Sequence, residues 1–392
     1  MTPRAGSGRP LRAAVIGAGR WAAAAHLPAF ARCPGVEVTV LCDRDAELVR
    51  RRALEFGIAE TSRDAEAVIA RDDLDIVDVC TRDDHDPLVF AALEAAKHCL
   101  CEKPVAHDAA SVWRADGIAR ARGLRTKVGL TFRYAPAMRH MLQLVRQGFC
   151  GRPFIFNGFE QNSQWLDPDI PADKRVLTAP SDRDLVGGWA AGAEAITVSS
   201  LEGYGAPIID LALLMTGQEV TEVVGVLQNF VARRRRTNLD RGREPINIDD
   251  GDVFIGRMSD GALTTIQSSY VTVGNYPGIE ARLCGDRGAI TCRLVAERGA
   301  WQRIWTATSD RVEFQPQPIP AACFPPGTSA ADDWPATCYG NLVQSFVDEI
   351  RDRTLPAEGD FAQSARVQEV INAVEASHRR HGWVAVAPPS SG

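Results

Sequence analysis

Residues 11–22 read LRAAVIGAGRWA, a short apolar run that breaks at glycine and leads into a helix. The run 11–16 has the composition of a buried strand, and residues 21–33 have helical character. Gly17 permits a tight turn. Gly19 leaves backbone N–H groups open to a pyrophosphate, and the small Ala22 lets helix and strand pack closely. The helix N-terminus then presents its partial positive charge to a diphosphate. A second β-branched run, VEVTVLC at 36–42, delivers Asp43, where an acid bonds the adenosine ribose hydroxyls. A carboxylate there disfavours a 2′-phosphate and points to NAD. Arg44 can cover the adenine or accept that phosphate, so NADP stays open.

The alternation continues outward. Strands are expected at 75–80, 98–101 and 126–130, and helices at 45–56, 87–96 and 109–122, with Gly57 and Gly123 as stops. Strands alternating with helices of this length predict a parallel, doubly wound sheet. The pattern changes after residue 131. Strands are expected at 154–161, 220–230, 251–258, 262–271, 279–284 and 289–294, an antiparallel sheet with one covered face. Helices are expected at 135–148, 208–215, 339–353 and 361–381. The fold class is α/β, with one domain over residues 1–130 and a second over 131–392.

The 392 residues are 45% hydrophobic and 24% charged, which fits a folded globular chain and excludes disorder, collagen and coiled coil. The formal charge of -6 argues against general nucleic-acid binding, and no apolar run is long enough to span a bilayer. No apolar segment of signal-peptide length follows the N-terminal residues, so a secretory leader is not expected. Ten scattered cysteines without paired CxxC spacing read as reduced core thiols of a cytoplasmic protein. No His, Asp or Glu grouping has metal spacing. Residues 165–185 and 232–245 read as loops. The second carries Arg233 to Arg236, Arg241 and Arg243, either a solvated run or a clamp for an anionic substrate.

Glu102, Lys103 and Pro104 follow the strand at 98–101, at the carboxyl edge of the sheet where ligands of such folds bind. A lysine there can orient nicotinamide and substrate, or shuttle a proton. His85 either approaches the cofactor or packs at a helix start. His26 is expected on a helix surface or in a domain contact.

GAGRWA at 17–22, CDRD at 42–45, His85 and ALEAAKHCLCEKP at 92–104 resemble the glucose–fructose oxidoreductase, inositol dehydrogenase and MocA family. The resemblance continues through Arg133, Tyr134, Ala135 and Pro136, through GAPIIDL at 205–211, and into 341–383. It implies an N-terminal Rossmann domain and a C-terminal α/β domain with a large, open, mostly antiparallel sheet. It implies an NAD(P)-dependent oxidoreductase acting on a ring hydroxyl or ketone of a sugar, cyclitol or nucleotide sugar, and a homodimer or homotetramer built through sheet faces. The implied cofactor contacts are Gly17, Gly19, Arg20, Trp21, Asp43, Arg44, Cys80, Thr81, His85, Glu102, Lys103 and Arg133.

The sequence departs from the family where an acid–base pair is usual. Gly203 stands at the aspartate position and Pro207 at the histidine position, while Asp210 remains. Lys103 is therefore the principal catalytic candidate, Tyr204 the second, and Asp210 the surviving member of the motif. Reduction of an imine or iminium, a non-redox reaction with bound cofactor, and a binding role are the alternatives.

Overall fold

The computed structural model describes residues 9–82, 85–171, 196–235, 241–274, 276–296 and 300–386. The chain forms two compact units. The first holds Met1–Ala106, Ala110–Tyr134 and Pro325–Ala365, and the second holds His107–Ala109, Ala135–Phe324 and Arg366–Gly392.

The first unit is built on a parallel sheet of β1 (Leu11–Ile16), β2 (Val36–Cys42), β3 (Glu60–Ser62), β4 (Ile76–Val79), β5 (His98–Cys101) and β6 (Thr126–Val128). Their order across the sheet is β3-β2-β1-β4-β5-β6. The order reverses between β1 and β4, so a crevice opens at the carboxyl ends of those two strands. Alternate residues of β1 serve opposite layers. Ala14 and Ile16 pack with Val89, Leu93 and Val112. Ala13 and Val15 pack with Leu27, Phe30 and Val49. Burial on both faces explains why the strand reads as a continuous apolar run.

The helix Trp334–Arg351 completes the second of these layers with Tyr339, Leu342, Val343, Phe346 and Val347. A single boundary at residue 130 assigns this helix to the second domain, but its contacts group it with the first unit. The cause is its apolar stripe, which covers the sheet face left bare by the short helix Leu27–Arg32. Lys127 of β6 joins the same helix. Its fully buried Nζ lies 2.6 Å from Glu349 Oε1 and 3.3 Å from Ser345 Oγ, and it also donates to the Glu358 carbonyl.

The second unit carries a mixed sheet. Its strands are β7 (Pro153–Gln161), β8 (Val220–Gln228), β11 (Gly251–Met258), β12 (Leu263–Ser269), β13 (Pro277–Gly285), β14 (Gly288–Val295), β15 (Arg303–Thr308), β16 (Arg311–Gln317) and β17 (Val384–Ala385). Two short strands, β9 (Arg233–Arg234) and β10 (Glu244–Pro245), pair separately. The main order is β16-β15-β14-β13-β7-β12-β11-β8-β17, antiparallel except where β12 meets β7. The helix Ala206–Thr216 covers one face. It approaches β7 so closely that a Cβ on Gly158 would stand 2.6 Å from Ile208 Cγ2. The opposite face exposes Ile155, Val226, Val253, Ile255 and Leu263.

Strands β3, β9, β10, β15, β16 and β17 have no counterpart in the sequence reading; β3, β9, β10 and β17 are too short to show a period. Residues 172–185 of the first expected loop lie outside the described residues. Among the described residues no helix is long and apolar enough to cross a membrane.

The Lys127–Glu349 pair sets a stability test. Lys127→Met leaves a buried carboxylate unpaired and is expected to cost about 3–5 kcal/mol in denaturant unfolding. The double variant Lys127→Met, Glu349→Leu is expected to recover most of that loss.

Candidate active site

Gly17 adopts φ +110°, and a Cβ there would stand 2.6 Å from the Cys80 carbonyl carbon. The turns leaving β1 and β4 therefore touch at a point that only glycine can occupy. Gly19 is the opposite case: nothing lies within 4 Å of where its Cβ would be. It leaves an open cradle above backbone N–H groups. Asp43, at the end of β2, accepts from Ala18 N at 2.7 Å through Oδ2 and from Asp45 N at 2.9 Å through Oδ1. Arg20 and Arg44 are exposed, Trp21 and Thr81 half-buried, and Cys80 buried. This set fits a dinucleotide: a strained first glycine, an open second one, and a carboxylate beside the turn.

The helix expected at 21–33 begins as a π turn over Ala22–His26 and becomes α-helical at Leu27–Arg32. His26, expected on a helix surface or in a domain contact, is fully buried. Its Nδ1 lies 2.7 Å from Asp78 Oδ2 on β4, and its Nε2 lies 3.1 Å from Glu102 Oε1. Trp21 Nε1 also donates to Glu102 Oε1, at 3.2 Å, and to the Tyr339 hydroxyl, at 2.9 Å; that hydroxyl donates in turn to Glu102 Oε1. Burial disfavours charge on His26, but the carboxylate of Asp78 and the Cys80 sulfur outweigh it and hold the imidazole well above its usual range. Burial would raise Glu102, yet bonds from His26 and Tyr339 keep it below the ordinary carboxylate value. Asp78 is pushed up by burial, with the Glu102 charge adding to it and His26 opposing. The sequence does hold a signal for His26. Ala22, Ala25, His26, Ala29 and Phe30 recur at helical spacing, and all five are buried.

Lys103 is half-buried between two held neighbours. Glu102 is tied as above. The Pro104 carbonyl lies 2.6 Å from His85 Nδ1, and the other ring nitrogen lies 3.0 Å from the Thr81 carbonyl. His85 thus links the loop after β4 to the turn after β5. Arg133 is buried in the first unit, where its guanidinium donates to Gln363 Oε1.

In the second unit Tyr204 sits on another π turn, Leu201–Gly205. Its phenol donates to Gln164 Oε1 at 2.6 Å and accepts from Trp165 Nε1 at 3.3 Å. Burial pushes its ionisation well above that of an ordinary tyrosine, and the charge of Glu160 pushes the same way. Asp249 caps this turn by accepting from Ser199, Ser200 and Leu201 N–H groups; burial nonetheless pushes its carboxyl up to about 7. Asp210 is buried within the helix Ala206–Thr216. Pro207 occupies the first turn of that helix, where a missing N–H costs nothing. A dyad absent from the sequence reading lies beside the turn. His107 Nδ1 is 2.8 Å from Glu202 Oε2, and Gln368 Nε2 donates to Glu202 Oε1 at 3.0 Å. The partners are far apart in sequence, so no local spacing signals them.

In the arginine segment Arg233, Arg241 and Arg243 are exposed, as a solvated run would have them, but Arg234 is not. Arg234 is fully buried, 3.8 Å from Asp250, and donates to the Asp167 carbonyl at 3.0 Å. Arg243 pairs with Asp169 at 2.9 Å. Arg236 lies outside the described residues. Among the described residues no group of three His, Cys, Asp or Glu side chains could hold a metal ion.

Residues 11–130 match the model of an oxidoreductase family with an NAD-binding Rossmann fold, and residues 138–291 match the GFO/IDH/MocA C-terminal domain. The chain belongs to the Gfo/Idh/MocA family. It is an NAD-dependent oxidoreductase with a Rossmann unit and a C-terminal α/β unit. Levoglucosan dehydrogenase of Pseudarthrobacter phenanthrenivorans is 24% identical over 376 residues, covering 88% of this chain and 89% of that protein. D-apiose dehydrogenase of Paraburkholderia graminis is 34% identical over 130 residues, 33% of this chain and 35% of its own length. An oxidoreductase domain protein of Kribbella flavida shares the fold at a TM-score of 0.82 and 28% identity, over 97% of this chain and all of that one.

The two glycines separate folding from binding. Gly17→Ala is expected to lower the melting temperature and abolish NADH binding, because neither the backbone conformation nor the space admits a Cβ. Gly19→Ala is expected to melt like wild type while weakening NADH binding in a fluorescence titration.

Proposed function

We propose that this oxidoreductase acts on a ring hydroxyl or ketone of a sugar, cyclitol or nucleotide sugar, with Lys103 as the acid–base residue. The observation that carries this reading is the placement of a half-buried lysine between two tethered residues at the carboxyl end of β5. NAD, when bound, supplies the hydride acceptor or donor. Gly17, Gly19 and the N–H groups of their turn would hold its diphosphate, and Asp43 its ribose; Arg20, Trp21, Arg44, Cys80, Thr81, His85, Glu102 and Arg133 complete the proposed set. Lys103 Nζ takes the proton from a substrate hydroxyl in oxidation and returns it in reduction. Tyr204 is the second candidate in the segment that usually supplies the acid, and Asp210 the third. The names of relatives that oxidise levoglucosan, apiose and inositol favour a sugar or cyclitol substrate. Nine buried cysteines, behaving as small core hydrophobes, support a cytoplasmic setting.

Turnover is read as NADH formation or consumption with levoglucosan, D-apiose and myo-inositol, and with their ketone products. Lys103→Met is expected to reduce kcat by about 100- to 10,000-fold with NADH binding nearly intact. Near wild-type turnover in that variant would remove Lys103 from the chemistry. Tyr204→Phe is expected to act likewise if the phenol is the replacement acid, and to change nothing if it packs. Preference for NADPH over NADH in the same titration would remove only the Asp43 argument.

A second reading has its own observation. Gly203 and Pro207 cannot transfer protons, and the Tyr204 proton is already engaged with Gln164. Imine or iminium reduction, a non-redox reaction with retained cofactor, or a binding role would need no strong acid there. Stoichiometric NADH turnover with a hydroxyl or ketone substrate would exclude the last two.

The open sheet face supports a homodimer or homotetramer. Val253 pairs across β11 and β8 with Val226, and Leu263 lies opposite Ile155 on β7, two exposed apolar pairs on that face. Sedimentation is expected to show an oligomer, and Val253→Glu with Ile255→Glu to shift it toward monomer.

A further inference from the structure

Lys103 has no latitude on either side. Glu102 N donates to the Val79 carbonyl at 2.9 Å, and the Glu102 carboxylate is held by His26, Trp21 and Tyr339. Gly129 backs that carboxylate so closely that a Cβ there would collide with it. Pro104 is held by His85. The groups facing His26 are Asp78 and Cys80 from β4 and its end, Glu102 from the end of β5, and Tyr339, whose ring centroid is 4.6 Å away.

We propose that His26 is a positioning residue for Lys103: its ring ties Glu102 to Asp78 and so holds the turn that presents the lysine amine. The proposal rests on the catalytic reading of Lys103 above.

Three observations support it. The first is the π turn. Trp21 and His26 stand five residues apart, and in an α-helix they would point roughly 140° apart around the axis. The wider π turn brings both onto the same oxygen of Glu102. Such turns are uncommon and recur at functional sites. The second is the poor economy of the cluster as a stabilising device. Asp78 Oδ1 is buried and has no hydrogen-bond partner among the described residues. A buried ionic cluster with an unsatisfied oxygen is a weak source of stability, and apolar side chains of similar volume would serve folding as well. The third is location. The linked residues come from the glycine-turn helix, β4 and the end of β5, the elements that border the crevice where the strand order reverses.

The test uses His26→Leu, His26→Gln and His26→Asn in the full-length protein. A glutamine amide reaches the Nε2 position that faces Glu102, whereas asparagine reaches the Nδ1 position that faces Asp78. His26→Leu and His26→Asn are expected to lower kcat by about 100-fold with KM little changed. His26→Gln is expected to recover most of that loss. NADH affinity by fluorescence and melting temperature are measured on the same preparations. Equal behaviour of Gln and Asn, a kcat loss that simply follows melting temperature, or an unaffected His26→Leu would overturn the proposal. If the leucine variant does not fold, the Gln–Asn comparison and Tyr339→Phe carry the test. Tyr339→Phe removes one donor to Glu102 and is expected to lower kcat without altering KM; an unchanged kcat counts against the proposal. In the double variant with Lys103→Met, His26→Leu should add no further loss, since it acts through the lysine. A multiplied loss would overturn it. Active Lys103→Met defeats the catalytic reading itself. An inactive Lys103→Met beside an active His26→Leu defeats only the positioning role.

Discussion

The contact between Gly17 and the Cys80 carbonyl is the constraint on which the first unit turns. It brings the ends of β1 and β4 together where the strand order reverses, and it leaves no room for a side chain. That closeness places Ala18 N within reach of Asp43 and starts the helix that carries Trp21 and His26. A parallel sheet buried on both faces supplies the rigidity, because each β1 residue packs into one of two apolar layers.

Under this turn the protein buries titratable groups. An imidazole between two carboxyl groups is costly to bury unless every partner is well placed. Here the partners come from elements distant in sequence: Asp78, Glu102, Trp21 and Tyr339. The helix that brings Tyr339 is also the one that closes the apolar layer and pairs Glu349 with Lys127. One helix therefore seals the core and reaches the residues next to Lys103.

The second unit shows a different compromise. Pro207 suits the first turn of the helix Ala206–Thr216 but cannot transfer a proton. Tyr204 lies on a π turn held by Asp249, with its phenol committed to Gln164. The His107–Glu202 dyad lies beside the same turn.

Sequence alone determined the parts governed by local pattern. The strands at 11–16, 36–42, 98–101 and 251–258 match their observed bounds, because apolar period and β-branching act over a few residues. The glycine turn and the Glu-Lys-Pro turn were legible because strained backbone and strand ends demand particular residue types. What only the tertiary structure decided are the pairings across long separations. The helical spacing of Ala22, Ala25, His26, Ala29 and Phe30 marks a buried face, but nothing nearby in sequence announces Asp78 or Glu102 as the partners of His26. The helix expected at 339–353 fell within the second domain because its apolar stripe says that it packs, not on what. The His107–Glu202 dyad was invisible for the same reason. Burial and charge pairing are properties of neighbours in space, and a chain's periodicity names only neighbours along it.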